Sequence, residues 1–157
     1  MRKITTCLWF ATQAEEAATL YTSLIPGSEI LEVQRFGEDG PGTPGTAMAV
    51  TFELAGQHFM ALNGGPDSAF TEATSVHVAC ESQEEIDELW TRLTENGGEE
   101  GQCGWLKDRW GVSWQIIPRQ LPELLGHADP VAAQGAMKAM LGMRKIDLAA
   151  LYEAAGL

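Results

Sequence analysis

The feature that most narrows the possible folds is an internal repeat. Twice the chain reads as a strand, a helix-opening hydroxyl residue with Glu three positions on, an amphipathic helix, a glycine stop and further strands. In the first copy Ile4–Phe10 is an apolar strand, and Thr12-Gln13-Ala14-Glu15 predicts a capping box. Ala17, Tyr21, Leu24 and Ile25 follow at helical spacing, and Pro26-Gly27 ends the helix. Glu29–Phe36, Thr46–Leu54 and Gln57–Leu62 read as strands, the last two turning at Ala55-Gly56. Gly37–Gly45 holds four glycines and two prolines and predicts a mobile loop.

The second copy has shorter loops. Ser75–Cys80 is a strand, Ser82-Gln83-Glu84-Glu85 a second capping box, and Ile86, Leu89, Trp90 and Leu93 form one helical face. Asn96-Gly97-Gly98 caps that helix, residues 99–107 read as a short strand or irregular hairpin arm, and Val112–Ile117 is a strand ended by Pro118. The caps Thr12 and Ser82 lie 70 residues apart, and Gly56 and Gly111 lie 55 apart. Pro130–Ala155 then has a helical pattern, read as two helices broken near Gly142. Met137, Met140, Leu141, Ile146, Leu148 and Leu151 are packing residues there. The expected fold class is α+β, two tandem βαβββ modules with a C-terminal helical extension. The expected boundaries are 1–118 for the paired modules (1–66 and 74–118) and 119–157 for the extension.

Charge limits the partners. The chain carries 10 basic and 22 acidic side chains, and the whole excess of −12 falls in residues 1–118. Such a surface repels phosphate backbones and anionic membranes, so neither nucleic acid nor membrane is an expected partner. No apolar run approaches the ~20 residues of a membrane helix, and the apolar start is too short for a signal peptide. Cys7, Cys80 and Cys103 are odd in number and lack CxxC spacing, so neither a disulfide framework nor structural zinc is expected. The expected location is the cytoplasm.

Several segments resemble one family. They are Ala14-Glu15-Glu16-Ala17 with Tyr21-Thr22-Ser23, then Gly64-Gly65-Pro66, and Gln83-Glu84-Glu85-Ile86-Asp87 with Leu89-Trp90. The stretch Cys103–Gln115 is the most specific, and Ala139-Met140 to Lys145-Ile146-Asp147 extends the match into the tail. The chain resembles the vicinal oxygen chelate superfamily, the glyoxalase and dioxygenase fold, in its PhnB-like, 3-demethylubiquinone 3-methyltransferase-like branch. The resemblance implies that each module forms a curled half-sheet, that two modules make a cup-shaped open barrel around a cavity, and that the protein is a homodimer. It implies function only weakly, since the superfamily hosts several chemistries and metal-free binding proteins.

The repeat itself locates the cavity-facing positions. Aligning the caps pairs Thr5 with Ser75 and Cys7 with His77. Aligning the glycines pairs His58 with Ser113 and Met60 with Gln115. Alternation along a strand then puts Thr5, Cys7 and Trp9, with His58 and Met60, on one face of the first module. Ser75, His77, Ser113 and Gln115 share the matching face of the second. By resemblance to the glyoxalases, the metal-ligand quartet maps to Thr5, Met60, Ser75 and Gln115, and none of these is a good ligand for a divalent cation. No metal and no cofactor is therefore expected. A two-residue slip in register would bring His77, His58 and Cys7 into play as a soft site.

His77 is the candidate catalytic group, since a histidine titrates near neutrality; the alternative is a strand histidine satisfied by its neighbours. Trp9 and Trp105 are candidate pocket aromatics, with core packing the alternative for Trp9, whereas Trp90 and Trp114 read as core. Lys107-Asp108-Arg109 reads as a charged turn with an internal ion pair; the resemblance implies instead that it edges the cavity mouth, where Arg109 meets an anionic ligand. The expected function is binding of a small molecule in the barrel cavity without the usual metal. The alternatives are a lyase- or oxygenase-type enzyme using His77 or a non-standard metal, and an interaction module whose apolar tail packs across a dimer. Methyl transfer is disfavoured, because the chain has no GxGxxG turn and no room for a doubly wound adenosyl-binding domain.

Overall fold

A computed structural model describes residues 2–157. Its contacts divide the chain into two compact units, one ending at Phe70 and the other running Thr71–Leu157. Each unit is an α-helix on a four-stranded sheet, so the α+β class and the tandem repeat are both present.

In the first unit the order is β1 (Thr6–Phe10), α1 (Ala14–Leu24), β2 (Glu29–Arg35), β3 (Ala47–Leu54) and β4 (Gln57–Asn63). The strands lie in the order β1-β4-β3-β2, with β1 parallel to β4 and the other pairs antiparallel. The helix offers only small residues and one ring to the sheet: Ala14, Ala17, Ala18 and Tyr21 are buried. They cover Leu8, Phe10, Val50, Phe52, Phe59 and Ala61, with Phe52 and Phe59 stacked at 5.4 Å between ring centres. Alternation leaves Cys7, Trp9, His58, Met60 and Leu62 on the opposite face.

In the second unit β5 (Ser75–Cys80), α2 (Gln83–Thr94), β6 (Glu99–Glu100), β7 (Trp105–Lys107) and β8 (Ser113–Pro118) repeat the plan as β5-β8-β7-β6. Ile86, Leu89, Trp90 and Leu93 of α2 pack on Cys80, Leu106, Trp114 and Ile116. The two registers match the spacings read from sequence. Thr6 pairs with Phe59, and the residues 70 and 55 positions on, Val76 and Trp114, pair with each other.

Three local expectations are corrected. Thr12 does not cap α1. The N-cap is Gln13 without a side-chain bond, and the Ala14 amide donates instead to Asn63 Oδ1 at 2.8 Å. A residue 49 positions away thus replaces the local cap, and Asn63 also donates to the Ala47 carbonyl, tying helix and sheet together. Ser82 does cap α2, accepting from the Glu85 amide. Ile4 and Thr5 fall before β1, whereas Pro118 ends inside β8, paired with Cys80. A short helix, α3 (Leu121–Leu125), also precedes the two helices expected from sequence, α4 (Pro130–Leu141) and α5 (Leu148–Ala155).

The tail is anchored to the second unit. Ile117 and Ile146 join Leu121, Leu124, Ala132, Ala136, Leu151 and Ala155 in one cluster, with Met140 and Met143 packed against it. Gln83 acts as a clasp: its Nε2 donates to the Ile146 carbonyl and its Oε1 accepts from the Leu148 amide, both at 2.9 Å. The Cys103 and Gly104 amides donate to the carbonyls of Met143 and Arg144. Gly104 sits at φ +85°, and a Cβ there would lie 2.7 Å from Ile117 Cδ1. None of the helices among the described residues is long and apolar enough to cross a membrane.

Candidate functional site

The helix-free face of the second sheet holds the most complete site. Register places Ser75, Ser113, Lys107 and Glu99 in one row across β5, β8, β7 and β6. The next row is His77, Gln115 and Trp105. Gln115 Nε2 donates to Ser75 Oγ at 2.9 Å, so these two expected cavity residues are in contact. His77 is exposed beside them.

A cleft of about 450 Å³ opens on this face, and Trp105, Ser113, Lys107, Glu72, Glu99 and Glu100 contribute to its wall. Ser113 is 1% exposed, and its Oγ has no hydrogen-bond partner among the described residues. Lys107 Nζ lies 2.6 Å from Glu72 Oε1. That bond holds the Glu72 carboxyl below its ordinary range and the Lys107 ammonium above its own. Glu100 accepts from the Trp90 indole N–H at 2.5 Å. Glu72, Glu99 and Glu100 were not foreseen as site residues: Glu72 lies in the loop before β5, and reading 99–107 as a short strand or irregular hairpin arm sets no register that joins Glu99 to Ser113.

The charged turn differs from expectation. Asp108 is 2% exposed, buried rather than part of a solvated turn. It accepts from the Trp110 and Val112 amides and from the Trp114 indole N–H, each at 3.0 Å. Arg109 instead lies over the Trp110 ring at 5.2 Å, with its Nε buried and unpartnered among the described residues.

The first unit carries the equivalent face. Cys7 pairs in register with Met60 and Trp9 with Leu62, and Thr5 lies just ahead of β1. Trp9 is 37% exposed; its indole N–H donates to the Gly65 carbonyl at 2.9 Å. Its ring lies so close to Gly64 that a Cβ there would sit 2.3 Å away, so Trp9 is held rigidly on this face rather than in the core. His58 Nε2 is 3.8 Å from Glu53 Oε2. Burial pushes the Cys7 thiol up, and the Cys80 thiol to about 12, which makes both poor thiolates.

The fit to a divalent metal follows from the donors. The positions assigned by resemblance to the glyoxalases hold two hydroxyls, a thioether and an amide, with Ser75 and Gln115 already bonded to each other. Among the described residues no group of three or more His, Cys, Asp or Glu is placed to hold a metal. These residues do not fit the superfamily's usual metal.

A family model described as 3-demethylubiquinone-9 3-methyltransferase matches residues 2–117. The chain belongs to this family. It is the PhnB-like branch of the vicinal oxygen chelate superfamily. The PhnB protein from Bacillus cereus, whose solved structure carries the same methyltransferase label, is 41% identical. That match covers 74% of this chain and 99% of that one, with a TM-score of 0.69. Protein PA1353 from Pseudomonas aeruginosa shares the fold at 22% identity and a TM-score of 0.58, covering 73% of this chain and 95% of that one. No curated protein matches the sequence. The family match ends at Ile117, so α3, α4 and α5 of this PhnB-like chain lie beyond it.

Proposed function

We propose that this PhnB-like protein binds a small organic molecule in the cleft on the helix-free face of the second unit's sheet, without the superfamily's usual metal. The observation that carries this reading is the buried, unpartnered Ser113 hydroxyl in the wall of a cleft that also holds Trp105. A buried hydroxyl without a partner costs about 1–3 kcal/mol, and a ligand that bonds to it recovers that cost. A volume of about 450 Å³ suits a small organic molecule. Thr5, Cys7, Trp9, His58 and Met60 would line the equivalent face of the first unit, with Ser75, His77 and Gln115 beside the cleft, while Arg109, stacked on Trp110, is not among the residues that line it. The active form on this reading is a cytoplasmic homodimer.

A second reading is an enzyme in which His77 moves a proton, supported by its exposed position opposite Gln115 in the register. The methyltransferase label gives no support for methyl transfer, because neither sheet has the doubly wound parallel order of an adenosyl-binding domain.

Ser113→Ala separates a binding role from a structural one. The variant is expected to be as stable as the parent, or more stable by up to about 1 kcal/mol, since it deletes an unsatisfied group. It is also expected to weaken binding of 2-naphthylmethanol, followed by the shift of the Trp105 indole N–H resonance. A loss of stability with unchanged binding would show that the hydroxyl serves the fold.

A further inference from the structure

We propose that the second-unit cleft selects an organic cation, a planar apolar body bearing an ammonium or amidinium group. This rests on the small-molecule reading above and names its ligand class. Glu72 and Glu99 stand with one cation, Lys107, in the cleft wall, whereas Glu100, one position on from Glu99, turns to the Trp90 side of the sheet. Lys107 is already bonded to Glu72, and Glu100 is engaged by the Trp90 indole N–H, with Arg144 3.8 Å away. Glu99 makes no hydrogen bond or close ion pair among the described residues, and the cation whose field it feels, Lys107, is committed elsewhere. An anion entering the cleft meets this uncompensated charge and the excess of −12 on the whole chain. A neutral ligand leaves Glu99 unused.

The other two walls fit the same ligand. Trp105 is half-buried and in register with Gln115, so part of its ring is available for stacking and for a cation held over its face. The buried Ser113 Oγ lies in the same row as Lys107 and Glu99 and lacks a partner. An ammonium or amidinium N–H supplies the donor that this oxygen lacks, while its charge faces Glu99. An acidic rim alone would attract only solvated counter-ions; the orphaned hydroxyl is what points to a bound group.

The test uses the full chain and three probes of one size: 2-naphthylmethylammonium, 2-naphthylmethanol and 2-naphthoate. Calorimetric titration near neutral pH is expected to give about tenfold tighter binding for the ammonium than for the alcohol, and weakest binding for the carboxylate. Added salt should weaken the ammonium alone. Glu99→Gln, at an exposed position, should remove most of the preference and leave the alcohol unchanged. Equal binding of ammonium and alcohol, each shifting the Trp105 indole signal, would overturn the cation class and leave the cleft as a binding site. If none of the probes shifts that signal, the small-molecule reading falls with it.

Discussion

Replacing Asp108 by alanine is expected to cost about 3–5 kcal/mol, because one carboxylate serves three donors and the cost of each orphaned buried donor is about 1–3 kcal/mol. The donors are the amides of Trp110 and Val112 and the indole N–H of Trp114, a residue with 0% exposure. The backbone depends on the same residue. The Asp108 amide donates to the Val112 carbonyl, and the Gly111 amide returns to the Asp108 carbonyl, closing the turn between β7 and β8 with Gly111 at φ +90°. Lys107 and Ser113 flank this turn and line the cleft, so the variant should also lose affinity for cleft ligands. Asp108→Asn keeps one acceptor oxygen but turns an N–H₂ group toward remaining donors, and should show an intermediate loss. Denaturant midpoints at constant m-value measure both. A loss below about 1 kcal/mol for the alanine variant would mean that water replaces the carboxylate and that the turn stands without it.

Gly135→Ala is expected to destabilise the protein by about 2–3 kcal/mol, opposite in sign to the usual effect of this substitution inside a helix. Helix propensity alone would favour alanine by about 1 kcal/mol. Here the added Cβ would sit 2.1 Å from the Ala154 carbonyl oxygen and 3.0 Å from its carbon. These are backbone atoms of α5, so relief requires α4 and α5 to move apart and to open the cluster of Ala136, Ile146 and Leu151. Gly142→Ala is the matched control. It ends α4 at φ −92°, a built Cβ there would meet only the Ala139 carbonyl oxygen of the same helix at 3.6 Å, and its effect should stay within about 0.5 kcal/mol. Thermal unfolding of the two variants side by side reads the difference, and a stabilised Gly135→Ala would show that the helices are not in contact there.

The tandem modules were legible because both signals are local. Capping-box sequences and glycine turns recur at offsets of 70 and 55, and strand pairing reproduces both offsets. The helix-free face followed from alternation, and the Ser75–Gln115 contact is one product of it. What escaped is what tertiary structure decides. Thr12-Gln13-Ala14-Glu15 has the letters of a capping box, yet Asn63 supplies the acceptor from another strand. Lys107-Asp108-Arg109 has the composition of a solvated turn, yet Asp108 is buried under Trp114. Glu99 entered the site only because β6, two residues long, aligns it with Lys107. Periodicity cannot reveal a strand that short. Ile117 alternates with Ser113 and Gln115, yet the tail helices cover it, so the open face ends sooner than alternation alone implies.

Native mass spectrometry of protein purified without added metal or chelator tests the central claim most directly. The expected result is a dimer with no stoichiometric metal that takes up one 2-naphthylmethylammonium per chain. One tightly held zinc, iron or nickel ion per chain would contradict it. His58, His77 and Cys7 would then be the first residues to replace.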